Sequence, residues 1–263
     1  MTRFPATSIL GGLLALVFAA TLSAKPAHQE FMATDAVQAD LKGKVKRVKE
    51  VTHKADDNGI YQEEDSEIEL YDIHGSLIED KTYDSEGELV ESTLNSFDDD
   101  GTWTRSEETD EDGKKTYKIL LDQEGRRLAS VEETTGETEV TTFTENGFED
   151  NGFTKSARGK MLKRFSILRN PNNKERHLVF EEPAGVRSAV LDIQWNENGD
   201  ESAMTINFFK DKRFTVQKTY KYTELDEQNN WLIREVVSSF LDADGKELFK
   251  SYERVVREIT YHE

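Results

Sequence analysis

The sequence predicts an all-β protein built as one long antiparallel β-meander, in which strand-and-turn units of about 12 residues follow one another. Three observations support this prediction. Glycines recur every 11 to 14 residues from Gly75 to Gly159, acidic residues or asparagine cluster just before many of them, and polar and apolar residues alternate in between. We expect a twisted sheet that can curl into a partial barrel, with a short N-terminal helix at most.

Residues 1–24 have the layout of a secretory signal peptide. Arg3 supplies a positive charge, an apolar run extends from Ile9 to about Leu22, and small residues end at Ala24. The run is short for a membrane span, so we predict cleavage near Ala24 and a periplasmic or secreted protein; an uncleaved anchor is the alternative. Residues 25–40 are then a linker or a short helix.

Residues 41–159 form the predicted repeat region. Several of its turns have an aromatic residue followed by aspartate, two variable residues and glycine, as in Tyr71 to Gly75 and Tyr83 to Gly87. Aspartate favours a tight turn because its side chain accepts a backbone N–H two residues on, and glycine favours the left-handed conformation that closes a hairpin. The lysines of the first strand, within 41–54, are expected to protect a sheet edge or to complement the acidic repeats.

The alternation of apolar and polar residues within 160–263 predicts an amphipathic antiparallel sheet that continues from the repeats. Its segments place apolar side chains on alternate positions, which gives the sheet one dry face and one wet face. The dry face comprises residues of two predicted strands: Leu191, Ile193, Trp195, Met204, Ile206 and Phe208.

The charge distribution restricts the partners. The net charge is -19, and residues 56–150 alone carry 31 acidic and 7 basic residues. Such a field repels nucleic acid and anionic lipid headgroups, so we expect neither as a direct partner. After signal cleavage we also expect no integral membrane span. The chain has no cysteine, so a disulfide framework is excluded.

Patterns of catalytic residues are missing from the sequence. There is no nucleophile elbow, no zinc-protease motif and no phosphate-binding glycine loop, and the five histidines are scattered. Abundant glutamates leave a glycosidase-like carboxylate pair open but without a location. We therefore expect a protein that is not an enzyme and that needs no cofactor.

Calcium is the one metal that the aspartates suggest. With Gly101 as the sixth residue of an EF-hand-like loop, Asp98, Asp100 and Glu107 are the best candidate ligands. The competing interpretation is that these aspartates only initiate hairpin turns.

The sequence resembles RHS-type exported proteins, whose repeats carry a tyrosine–aspartate motif, and also MORN-like hairpin repeats. The resemblance rests on the Tyr71 and Tyr83 turns, on "LKGKVKRVKE" from Leu41, and on the endings "DEQNNWLIREVV" and "ERVVREITYHE". It covers roughly residues 41–261 and implies an all-β exported bacterial protein with no settled activity. Residues 160–212 depart from the regular repeat, so the shell and toxin processing of large RHS proteins are not implied.

These observations predict an exported, non-enzymatic binding or structural module of the bacterial cell envelope, with a protein, a glycan or an apolar ligand as its partner. The alternative is a periplasmic carrier that holds a lipid or another apolar ligand on a curved sheet. Ile193, Trp195, Met204 and Phe208 are its candidate ligand-binding residues.

Overall fold

In the computed structural model the described residues are 34–263, without 40, 100, 123–126, 145–147, 170–173 and 210–212. The predicted signal peptide and most of the linker lie outside this range. The described residues form a helix α1 (Asp35–Gln38), a 3-10 turn (Pro183–Gly185) and sixteen strands. The strands are β1 (Val45–Ala55), β2 (Tyr61–Tyr71), β3 (Leu77–Asp84), β4 (Leu89–Phe97), β5 (Trp103–Asp110), β6 (Gly113–Leu121), β7 (Arg127–Glu132), β8 (Thr138–Phe143), β9 (Glu149–Lys155), β10 (Met161–Arg169), β11 (Glu175–Glu182), β12 (Val186–Trp195), β13 (Glu201–Phe208), β14 (Phe214–Leu225), β15 (Trp231–Leu241) and β16 (Glu247–Tyr261).

The sheet is a closed antiparallel barrel. Each strand pairs with the next, and β16 returns to β1, from Val45 opposite Tyr261 to Lys54 opposite Glu253. The all-β antiparallel prediction is confirmed, and the expected partial barrel is corrected to complete closure. Closure satisfies the backbone groups of both terminal strands, so β1 is not an edge strand and the edge-protecting role expected for its lysines is wrong.

The hairpin turns have the predicted chemistry. The carboxylate of Asp72 accepts the backbone N–H groups of His74 and Ser76, at 2.7 and 2.9 Å, and Gly75 has a φ of 87°. The turn from Asp226 to Asn230 keeps this geometry with Asn229 at a φ of 63°, the conformation that asparagine tolerates best after glycine.

Register and burial together separate the interior from the exterior of the barrel. Residues paired in register share a face, so the pairings around the ring assign each strand position to one side. On β14, Val216 is fully buried opposite Ile206 and Phe240, whereas its neighbour Gln217 is exposed. The face that carries Val216 is therefore the inner one.

A short N-terminal segment covers part of one end of the barrel. The carboxylate of Asp35 accepts the Leu77 N–H at 2.7 Å, and the Ala36 N–H donates to the Gly75 carbonyl at 3.0 Å. Farther along, the Asn230 amide bonds both the N–H and the carbonyl of Lys42, at 2.7 and 2.9 Å. These bonds fasten the described part of the N-terminal segment to turns of the barrel. Among the described residues, no helix is long and apolar enough to cross a membrane.

Replacing Asn230 with alanine is expected to destabilise the protein by about 1–3 kcal/mol. Asn230 is only 2% exposed, and its loss leaves the backbone N–H and carbonyl of Lys42 without their hydrogen-bond partner. Urea unfolding followed by circular dichroism measures this change. Asn198→Ala, at an exposed position of another hairpin turn, is the matched control. Equal midpoints for the two variants would contradict this role of Asn230.

Candidate functional site: the barrel lumen

The width of the barrel provides the candidate site. Eight strands enclose a space that interior side chains fill, whereas barrels of about 16 strands leave a lumen. Three sectors of different chemistry lie on the inner face, along the part of the ring that runs from β10 through β16 and β1 to β3.

The first sector, the apolar wall, is the inner face of β10 to β14. Its buried members form one hydrophobic cluster: Ile167, Leu178, Ala189, Leu191, Ile193, Ile206, Phe208 and Val216. Its partly buried members pack against that cluster: Phe165, Phe180, Trp195, Met204 and Phe214, joined by Phe240 of β15. Adjacent strands supply paired rings, since Phe208 and Phe214 stack with centroids 4.4 Å apart.

All four candidate ligand-binding residues lie in the apolar wall. Ile193 and Met204 are partners in register, and Phe208 lies on the same inner face of β13. Trp195 lies at the end of β12, where the Lys174 ammonium is 5.0 Å from its ring centroid. The structure thus brings these residues together on the inside of the barrel, and their role in binding stays a prediction.

The second sector, the acidic sector, comprises Asp65, Glu67 and Glu69 on β2 and Asp80 on β3. Burial, reinforced by the neighbouring carboxylates, raises the pKa of Glu69 to about 8 and that of Asp80 to about 6. The same causes raise the pKa of Glu67 well above its usual range. These side chains therefore hold protons more tightly than exposed carboxylates do.

The third sector, the cationic sector, lies between the other two. It comprises Lys218 on β14, Arg234 on β15 and Arg257 on β16. The guanidinium carbons of Arg257 and Arg234 lie 3.5 and 4.5 Å from the ring centroid of Trp231. The stacking holds both guanidinium groups on the aromatic surface, where cation–π attraction favours them.

Arg257 also forms the ion pair that joins the two ends of the sheet. Its Nε donates to Glu50 of β1 at 2.8 Å, and its Nη2 donates to the same oxygen. Burial pushes the pKa of Glu50 upward, but the charges of Arg257 and Arg234 outweigh burial and hold this pKa below its usual value. Glu50 is therefore a charged partner at the β1–β16 seam.

The predicted calcium ligands lie away from the lumen sectors. The Asp98 carboxylate accepts the Thr102 N–H at 2.8 Å and so stabilises a hairpin turn, and Asp100 lies outside the described residues. Glu107 accepts from Lys114 at 2.9 Å, and this hydrogen bond holds the pKa of Glu107 below its usual value. In the part of the chain that is described, no group of three His, Cys, Asp or Glu residues has a geometry suited to a metal ion. Calcium binding remains a prediction.

Sequence reasoning missed the charged sectors of the lumen. A signal was present: Asp65, Glu67 and Glu69 are spaced two apart and therefore share one face of a strand. In so acidic a region this pattern could not be told from a solvated face. Arg234 and Arg257 carried no signal of their own, because only closure of the ring brings them to Glu50.

Comparison with known proteins gives the fold and no family. No family model matches the chain, and neither does a curated protein. A porin-like protein from Bacteroides uniformis matches with a TM-score of 0.54 and 15% identity, over 83% of this chain and 99% of that one. The TcdB2-TccC3 structure without its hypervariable C-terminal region matches 74% of this chain and 13% of its own, at 11% identity and a TM-score of 0.26.

The closed ring of strands and the match to the porin-like structure place the protein in the class of closed antiparallel β-barrels. At 15% identity the porin-like structure supports a shared fold and nothing finer. The TM-score to TcdB2-TccC3 is too low to support a structural argument. The resemblance to RHS-type repeats stays a prediction.

Proposed function

We propose that the protein is an exported, non-enzymatic binding protein of the bacterial envelope that holds an apolar ligand in its lumen, against the apolar wall. The observation that supports this proposal is the direction of the wall: its aromatic and aliphatic side chains face the interior. Several of them, including Phe165, Phe180 and Met204, remain partly exposed there. Apolar surface that the protein does not cover is available to a ligand.

The outer face supports a carrier rather than a membrane-spanning pore. A membrane barrel presents apolar residues outward and polar residues inward. Here the outward positions of β14 are the exposed Gln217, Thr219 and Lys221. On β16 they include the exposed Arg254 and Glu258. These polar and charged positions favour a water-facing exterior for β14 and β16, which supports the proposal that the barrel does not span a membrane.

The wild-type protein is expected to bind the neutral fluorescent probe N-phenyl-1-naphthylamine saturably, and Ile206→Glu, whose register partners Leu191 and Val216 are apolar, to weaken that binding by about tenfold or more while circular dichroism shows that the variant is folded. The substitution places a carboxylate on the apolar wall, where an apolar ligand would have to desolvate it. Fluorescence titration measures the affinity, and native mass spectrometry of the purified protein detects a ligand carried through purification.

The matched control is Thr205→Glu, one residue along β13 and on the outer face, which is expected to leave probe binding unchanged. The proposal fails if the wild-type protein does not bind the probe saturably. It also fails if both variants bind the probe as the wild-type protein does.

A further inference from the structure

We propose that the ligand of the lumen is a single-chain amphiphile with a carboxylate head, and that Lys218 binds this carboxylate. The inference rests on the proposed function, because it specifies the ligand of the same apolar wall. It assigns the tail to the inner face of β10 to β14 and the head to the boundary between the apolar wall and the cationic sector.

Lys218 lies at that boundary by register. Its partner on β13 is Met204, a member of the apolar wall, and its partner on β15 is Ser238. Val216, the preceding inner residue of β14, is fully buried in the wall. A ligand that lies on the apolar wall therefore meets an ammonium group at the wall's edge.

The positive charge of Lys218 is incompletely compensated within the protein. Among the described residues, its ammonium forms no hydrogen bond and no ion pair within 4 Å. Burial lowers the pKa of Lys218, and this effect outweighs the opposing charges of Glu253 and Glu201. A cation on a partly buried surface without a counter-ion is costly, and an anionic ligand would remove that cost.

A second polar group beside Lys218 is also unpaired. The Ser238 hydroxyl is buried, with the residue only 1% exposed, and it has no hydrogen-bond partner. Ser238 faces the same interior as Lys218, opposite Ser251 on β16. One ammonium and one hydroxyl match a carboxylate. A phosphate would also need the guanidinium groups of the cationic sector, which stack on Trp231 and of which Arg257 is already paired with Glu50.

The arrangement of the sectors favours an anion over a cation as the head group. The acidic sector begins on β2, four strands from β14, which is about 19 Å along the wall at the usual strand spacing. Arg234 and Arg257 lie on the two strands next to β14 in that direction. An amphiphile on the apolar wall therefore reaches Lys218 before it reaches the carboxylates of β2 and β3, and the nearer carboxylates Glu201 and Glu253 only partly compensate the charge of Lys218.

The test compares cis-parinaric acid with its neutral methyl ester, by fluorescence titration at pH 7.5. We expect the wild-type protein to bind the acid about tenfold more tightly than the ester, which is the usual size of one charge-assisted hydrogen bond. Lys218→Gln should remove this preference and leave ester binding intact, and Lys218→Arg should preserve it. Ester binding that is retained also shows that the Lys218→Gln barrel is folded.

Lys221→Gln is the matched control, because Lys221 lies on the same strand but on the outer face and pairs with Glu235. The inference is overturned, and the proposed function kept, if the wild-type protein binds acid and ester equally or if Lys218→Gln keeps the preference. Tighter binding of an alkyl phosphate than of a carboxylate of equal chain length also overturns it. If neither acid nor ester binds, the proposed function itself fails.

Discussion

Replacing Arg257 with methionine is expected to lower the free energy of unfolding by about 3–5 kcal/mol, the usual cost of removing one partner of a buried ion pair. The Arg257 side chain is 10% exposed and that of Glu50 is 19% exposed. Methionine fills part of the space but leaves the Glu50 carboxylate without its hydrogen bonds, close to the acidic sector. Urea unfolding of the wild-type and variant proteins measures the difference.

The double variant Glu50→Gln with Arg257→Met separates the ion pair from packing. With the carboxylate removed as well, no uncompensated charge remains at the seam, and we expect most of the lost stability to return. If the double variant is as unstable as Arg257→Met, the cost comes from lost packing against Trp231 and not from the orphaned charge.

A surface pair provides the matched control. Lys221 and Glu235 also join neighbouring strands, with a distance of 3.1 Å, but their side chains are 74% and 44% exposed. Lys221→Met is expected to change stability by less than about 1 kcal/mol, since water screens such pairs. Equal effects of Arg257→Met and Lys221→Met would show that the seam has no special role.

The hairpins could be predicted from sequence because their chemistry is local. Asp72 and Gly75 lie three residues apart, and the hydrogen bonds that stabilise this turn join residues at most four positions apart. Each turn therefore carries its own signal, and the regular spacing of the turns sets the lengths of the strands between them. The antiparallel meander follows directly from these features.

Closure of the barrel could not be predicted in the same way. It depends on pairing Val45 with Tyr261, residues at opposite ends of the described chain, and no local pattern encodes that contact. A single sequence contains the hydrogen-bonding groups of both strands but does not show that the twist of the intervening sheet brings them together. The ion pair between Glu50 and Arg257 depends on the same contact.

The inward face of β2 shows how closure overrides local polarity. The strand alternates between Glu67 and Glu69 on one side and Ile68 and Leu70 on the other, so polarity alone favours an interior made of the apolar pair. The register places Glu67 opposite Glu50, which faces inward with Arg257, and the acidic side is therefore the inner one. Neighbouring strands fix the face of β2, because a slip of one residue would reverse every side chain.

The half-buried acidic sector gives the second large prediction: the protein is expected to be less stable at pH 8.5 than at pH 5.5. The pKa of Glu69 is raised from 4.5 to about 8, and that of Asp80 from 3.8 to about 6. At a pH between the pKa of such a carboxyl in the unfolded chain and its higher pKa in the folded protein, the folded state binds more protons. The stability that these groups contribute is therefore fully present below their pKa values in the unfolded chain. It is lost as the pH rises through their pKa values in the folded protein.

The expected loss across this range is on the order of 2 kcal/mol, since one unit of pKa difference corresponds to about 1.4 kcal/mol and the partly open lumen screens part of the effect. The Glu50 carboxylate does not oppose this trend in the range tested, because its lowered pKa keeps it ionised at both pH values. Urea unfolding at a series of pH values, at constant ionic strength, gives the curve.

Glu69→Gln identifies the source of the pH dependence, because it removes the carboxyl group of the acidic sector whose pKa is raised to about 8 and nearly keeps the shape of the side chain. The variant is expected to have a flatter curve and to exceed the wild-type protein in stability at pH 8.5, where the wild-type carboxylate is forced to ionise in a poorly solvated position. Glu63→Gln, at an exposed position of the same strand, should reproduce the wild-type slope. A wild-type slope in Glu69→Gln would show that Glu69 is not the source of the pH dependence.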